Sequence, residues 1–420
     1  MSDTGRARPR RPAPNSVPWR DRSGRFSPLK AVILALAVTP ALWLAANWAA
    51  GALGPRPVTE VIHGTGLWAI RFLLMSLLVT PLRTLFNWPR IMLVRRTLGL
   101  TALGYAMAHL TLFADDQKWK WLTVVSEIAL RFYLTIGFVA LLGLVALGVT
   151  STDGWQRRLG ARWKRLHRIA YGIGVLAAFH FFLQSKADVS EASLMAGLFV
   201  WLMAWRMLPA GPDRQPLPVL GLAAAAAVLT AGIEYAWFAL GTRIPPLRVL
   251  MAELNVGSYG LHPAGQVLAI GLCMAAAAAL AWAQQRARLR QSAAFSVALY
   301  VAGAAMADAL IFAFGLGIDS DTPAWIGPAV WTGLLALLGL ARWRLPDQQR
   351  APLDILAAGC LGYYVVTTVF ESQVAGIAAS VAVILTALAL AVRLWPVSRA
   401  SALLVLPTTV WVGYAAATMY

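Results

Sequence analysis

Apolar runs long enough to cross a membrane recur from one end of the chain to the other, separated by short polar connectors. They fall near 31–53, 63–84, 97–113, 127–149, 168–185 and 193–208, and then near 217–240, 263–283, 292–316, 324–342, 354–370, 376–393 and 401–418. A bilayer's apolar core is about 30 Å thick and takes about 20 helical residues to cross. With 59% hydrophobic and 13% charged residues, such a chain cannot hide its apolar surface in one water-soluble core. The expected fold is therefore all-α, a polytopic membrane helix bundle of about thirteen transmembrane helices, six in a first half and about seven in a second.

The 36 Lys and Arg against 18 Asp and Glu would suit a nucleic-acid binder if they shared one face of a soluble domain. They fall instead between the apolar runs, so no nucleic-acid partner is expected and membrane lipid is. Arg83, Arg90, Arg95 and Arg96, then Arg157 to Arg168, then Arg286 to Arg290, then Arg342 and Arg344 occupy alternate connectors. The positive-inside rule makes those connectors cytoplasmic, and the N-terminus with them. The intervening connectors at 114–126, 186–191 and 319–322 are acidic or mixed and face the other side. Trp119 and Trp121 fall at that interface. Cys273 and Cys360 lie singly inside apolar runs, without the spacing of a thiolate metal site.

Four segments follow. Residues 1–30, basic and rich in Pro and Ser, read as a disordered cytoplasmic tail. Residues 31–208 form the first helical half, 209–218 a Pro/Gly-rich linker, and 219–420 a second helical half.

Only five histidines occur, and three converge once the runs are threaded. His63 opens the second run, His109 lies near the end of the third and His180 near the end of the fifth, all at the outer level. Ring nitrogens at membrane depth are costly unless bonded, and imidazoles from facing helices are axial ligands for haem iron. His109 and His180 are the preferred pair for an outer b-type haem; His63 is a third ligand candidate or a hydrogen bond to a propionate. Gly99 and Gly104 on one helix, with Gly172 and Gly174 on the other, offer room for a flat macrocycle. Arg71, about two turns inside the second run, is a further cofactor-binding candidate; Arg131, four residues after Glu127, with Lys118 and Lys120 is suited either to neutralising the propionates of an outer haem or to surface ion pairing.

An inner haem is less complete. His167 precedes His180 by roughly 20 Å of helix, which sets them near opposite membrane faces. Fourteen residues before His109, where a four-histidine bundle carries its inner ligand, stands Arg95. His167 and His180 also lie about 140° apart around an ideal helix, so they do not share a face. His167 thus reads either as a ligand or as part of a solvated basic connector.

Three stretches carry a family resemblance: HGTGLWAIRFLLMSLLVTPLR at 63–83, RRTLGLTALGYAMAHL at 95–110 and RWKRLHRIAYGIGVLAAFHFF at 162–182. Together they resemble the haem-binding membrane subunit of the bacterial periplasmic methionine sulfoxide reductase system, the MsrQ/YedZ family, within the ferric-reductase-like transmembrane group. The resemblance spans about 30–208. It implies an inner-membrane haem b protein, with one haem or two, passing electrons from a quinol donor to a periplasmic molybdopterin-containing catalytic subunit that repairs oxidised methionine. It places the haem ligands at His109, His167 and His180. It also implies an association with flavin mononucleotide, to which no residue here is assigned. No strand-bound GxGxxG run is present, so electrons come from a membrane donor or a separate reductase.

The second half shows no further histidine pair. Glu234 and Asp308 lie in apolar runs, where carboxylates mark functional sites by default. They leave open a different reading, a transporter or membrane scaffold in which the second half carries the activity.

Overall fold

The computed structural model describes residues 19, 26–185, 188–208, 215–253, 261–286, 291–314, 326–369 and 373–419. Most of the basic N-terminal tail, residues 209–214 of the expected linker and the connector at 319–322 lie outside them. The described residues are helical, without strands. Among the described residues, ten helices are long and apolar enough to cross a membrane.

The expected thirteen is not reached among the described residues. Ser190–Trp205, the expected sixth span, has 16 residues and is shorter than a bilayer core requires. Ile326–Trp343 and Ala351–Val369, at 18 and 19 residues, fall outside the ten as well.

The chain divides into two compact units, Met1–Met203 and Ala204–Tyr420. In the first, α1 (Pro28–Ala49), α2 (Pro57–Leu85) and α3 (Met92–Asp116) pack together. The short α4 (Trp121–Leu130) leads into α5 (Phe132–Val149). Then come α6 (Asp153–Leu159), α7 (Ala161–Leu166), α8 (Ile169–Ser185), which packs on α5, and α9 (Ser190–Trp205).

Local chemistry explains where these helices start and break. Proline stands in the first turn of α1 and α2, where its missing N–H costs nothing. Because α2 starts at Pro57, His63 sits inside the helix rather than opening it. The expected run 127–149 is broken at Arg131, whose extended backbone (φ −101°, ψ 106°) separates α4 from α5. The Thr135 hydroxyl crosses this break and donates to the Ile128 carbonyl at 2.6 Å. The expected helix through His167 is likewise interrupted, because α7 ends at Leu166 and α8 begins at Ile169.

Inside the unit, Phe72, Leu73, Val79, Val94, Ala102 and Leu144 are buried against one another. Outside, Leu122 and Leu130 are 89% and 84% exposed, as side chains facing lipid would be.

The second unit contains α10 (Pro216–Gly241), α11 (Pro246–Ala252), α12 (Pro263–Gln284), α13 (Ala293–Ala313), α14 (Ile326–Trp343), α15 (Ala351–Val369), α16 (Gln373–Leu394) and α17 (Arg399–Met419). α10 packs on α12, α13 on α14, and α16 on α17. One polar cluster crosses its core. Asp354 Oδ1 accepts from Arg342 Nε at 2.8 Å and from the Tyr300 hydroxyl at 2.7 Å, and Arg342 Nη1 donates to Ser296 Oγ at 3.4 Å. These contacts tie α13, α14 and α15 together. Asp308 on α13 is hydrogen-bonded to Tyr364 on α15, and Glu234 on α10 is buried.

Candidate functional site

His109 on α3 and His180 on α8 face each other with ring centroids 6.3 Å apart and planes at 82°. Each is tied by Nδ1 to a backbone carbonyl of the helix it packs on. His109 Nδ1 lies 2.7 Å from the Ile62 oxygen of α2, and His180 Nδ1 lies 2.7 Å from the Tyr133 oxygen of α5. A carbonyl only accepts, so Nδ1 must carry the proton in both rings, and Nε2 is left as the lone-pair nitrogen. That is the tautomer an iron ligand needs.

Both rings border a cavity of about 480 Å³ walled mainly by apolar side chains such as Leu73, Leu110, Phe113, Phe138 and Leu141. Its size is in the range that encloses small cofactors. Among the described residues no cluster of three or more His, Cys, Asp or Glu is placed to hold a bare metal ion. Two facing imidazoles beside an apolar cavity suit instead an iron whose remaining ligands come from a macrocycle. With centroids 6.3 Å apart, His109 and His180 would hold such an iron between them. The residues therefore fit a haem.

The glycines of this site are not those expected. Gly99, Gly104, Gly172 and Gly174 do not line the cavity; Gly66 and Gly137 do. A Cβ on Gly66 would lie 3.0 Å from His109 Nδ1, and one on Gly137 would lie 2.7 Å from His180 Nδ1. Sequence reasoning missed both, along with the Ile62 and Tyr133 carbonyls. The available signal was a repeated spacing: each acceptor lies 47 residues before its histidine, with a glycine four residues after it.

The other candidates surround this pair or lie apart from it. His63 lines the cavity, and its Nε2 is 3.3 Å from Gln184 Nε2, a contact in which the amide donates. Arg131 is ion-paired with Glu127, and its Nη1 donates to the Tyr133 hydroxyl at 3.4 Å. Because the Tyr133 carbonyl holds His180, Arg131 reaches the site through that residue. Arg71 donates to Glu191 of α9 at 3.0 Å and lies over the Trp68 ring at 5.0 Å; it does not line the cavity.

His167 is placed differently. It stacks on Trp163 at 4.0 Å, and its Nε2 is 3.3 Å from Thr150 Oγ1. The Thr150 hydroxyl gives its one proton to the Ala146 carbonyl at 2.7 Å, so toward His167 it accepts and Nε2 is the protonated nitrogen. This tautomer is opposite to that of His109 and His180. Arg95 lies close enough to His167 for its charge to act on the ring.

The first unit is of the ferric-reductase-like transmembrane class: residues 65–178 match the family described as ferric reductase like transmembrane component. Named relatives narrow this further. A Xanthomonas campestris pv. campestris (strain 8004) protein described as protein-methionine-sulfoxide reductase heme-binding subunit MsrQ is 45% identical over 166 residues, 39% of this chain and 76% of that protein. Its counterpart from Rhodospirillum rubrum is 41% identical over 193 residues, 46% of this chain and 90% of that protein. The chain belongs to the MsrQ family and is a multi-pass membrane protein. Residues 319–420, in the half that the motifs left without a family, match the TspO/MBR family. No solved structure matches.

Proposed function

We propose that the first unit is a haem-binding membrane subunit for methionine sulfoxide reduction, with one haem b held between His109 and His180. The observation that carries this reading is the pair of imidazoles 6.3 Å apart at the edge of an apolar cavity, each with Nδ1 held at 2.7 Å by a backbone carbonyl. The names of the relatives support it. Bound there, a haem supplies one-electron redox chemistry. The chain's own residues would offer it two imidazole nitrogens, of His109 and His180, fix their tautomer through backbone carbonyls, and surround it with a mainly apolar wall. Glu127 beside Arg131 leaves that side chain partly neutralised, while His63 and Gln184 form a polar edge suited to a propionate.

The path of electrons belongs to the same reading. The donor is quinol in an inner membrane, and the acceptor is a periplasmic molybdopterin-containing catalytic subunit that repairs oxidised proteins. The alternate basic connectors support this orientation, with the His63 end of α2 outward and the N-terminus cytoplasmic. Flavin mononucleotide would take the opposite, Arg-rich end.

The test is an optical spectrum of purified protein with a haem-to-protein ratio. A b-type spectrum at one haem per chain is expected, lost in His109→Ala and in His180→Ala and retained in His167→Ala. Full haem content in either of the first two variants would overturn the ligand assignment.

A further inference from the structure

The two halves of the histidine site are built alike. In an α-helix the carbonyl of a residue accepts from the N–H four positions on. For Ile62 and Tyr133 that partner is Gly66 and Gly137. Each carbonyl therefore serves two donors, the helical amide of a glycine and the Nδ1–H of a histidine, as its two lone pairs permit. Positions four apart lie one above the other on a helix face. A side chain on the glycine would stand where the imidazole reaches the carbonyl.

The distances bear this out on both helices. A Cβ on Gly137 would lie 2.7, 2.8 and 3.1 Å from Nδ1, Cε1 and Cγ of His180. One on Gly66 would lie 3.0 and 3.1 Å from Nδ1 and Cε1 of His109. In both cases it meets the ring edge that makes the hydrogen bond. Gly104 and Gly172, on the histidine-bearing helices themselves, differ, since a Cβ on either meets nothing within 4 Å.

We infer that Gly66 and Gly137 are positioning residues: each keeps a helix carbonyl open to the Nδ1–H of one histidine, and together they fix the orientation and tautomer in which both rings present Nε2. The inference rests on His109 and His180 being the axial ligands. A hydrogen bond from Nδ1–H to a carbonyl raises the basicity of Nε2 and favours the oxidised metal. Losing it raises the reduction potential and weakens metal binding, on the order of 10–100-fold for such outer contacts.

The experiment uses the full chain in detergent, comparing Gly66→Ala, Gly137→Ala, Gly104→Ala and Gly172→Ala by spectroelectrochemical titration and haem-transfer rate. Gly137→Ala is expected to raise the midpoint potential and speed haem loss. Gly66→Ala should do the same to a smaller degree, and the other two should match the parent. Parent values in Gly66→Ala and Gly137→Ala, or equal shifts in all four, overturn the inference. Full haem content in His109→Ala or His180→Ala overturns the underlying ligand reading instead. Should the glycine variants fail to fold, ¹⁵N-histidine NMR of the haem-free parent decides: Nδ1–H tautomers at His109 and His180 uphold the inference, and Nε2–H tautomers overturn it.

Discussion

A single hydroxyl shows how closely residue chemistry controls this fold. Tyr105 of α3 donates to the Ala37 carbonyl of α1 at 2.9 Å and accepts from the Ala41 N–H at 3.0 Å. These two backbone groups would otherwise pair with each other, four residues apart. Pro40 lies between them, and a proline inside a helix pushes on the carbonyl four residues before it and opens that turn. The tyrosine fills the opening. Tyr105→Phe leaves a carbonyl and an amide short of a partner in an apolar setting and should cost about 1–3 kcal/mol, read as a lower unfolding midpoint in a detergent titration. The histidines obey the same accounting, and the convergence of His63, His109 and His180 was legible from the sequence because it follows from residue counts along helices. Which nitrogen each ring offers was not legible, since that depends on acceptors 47 residues away in the chain.

At the scale of elements, periodicity located the helices but not their interruptions. The breaks at Arg131 and at His167–Arg168 fall inside continuous apolar or basic patterns with no Pro or Gly at the break, so nothing local announces them. In the second unit, Arg342, Asp354, Tyr300 and Ser296 join α13, α14 and α15. Arg342 is 8% exposed, so removing its carboxylate partner strands a mostly buried cation. Asp354 is partly open to solvent, which moderates the loss. Asp354→Asn should destabilise the second unit by about 2 kcal/mol, while the haem spectrum stays unchanged. A shifted haem spectrum in that variant would contradict a site built from first-unit residues alone.

For the whole molecule, the matched relatives set the expectation. A stretch covering 46% of this chain covers 90% of the Rhodospirillum rubrum protein, so that relative has little beyond the first unit. Residues 1–208 expressed alone, which hold the first unit and the rest of α9, should therefore take up haem with the spectrum of the full chain. Loss of haem on truncation would show that the second unit completes the site. The motifs in the first half were specific enough to reveal the family, whereas the second half offered only apolar runs and two carboxylates. Its match to a family spans residues 319–420, where no short motif was recognised.

The acceptors that orient the two imidazoles are main-chain atoms, and this changes how the site can vary over time. Ile62 and Tyr133 can be replaced by most other residues without removing the oxygen that each histidine uses. The tolerance to substitution at these acceptors should be high, and nearly all the mutational sensitivity of the site should collect at four positions, the two histidines and the two glycines opposite them. A saturation library scored for haem retention would show those four as narrow columns flanked by permissive neighbours.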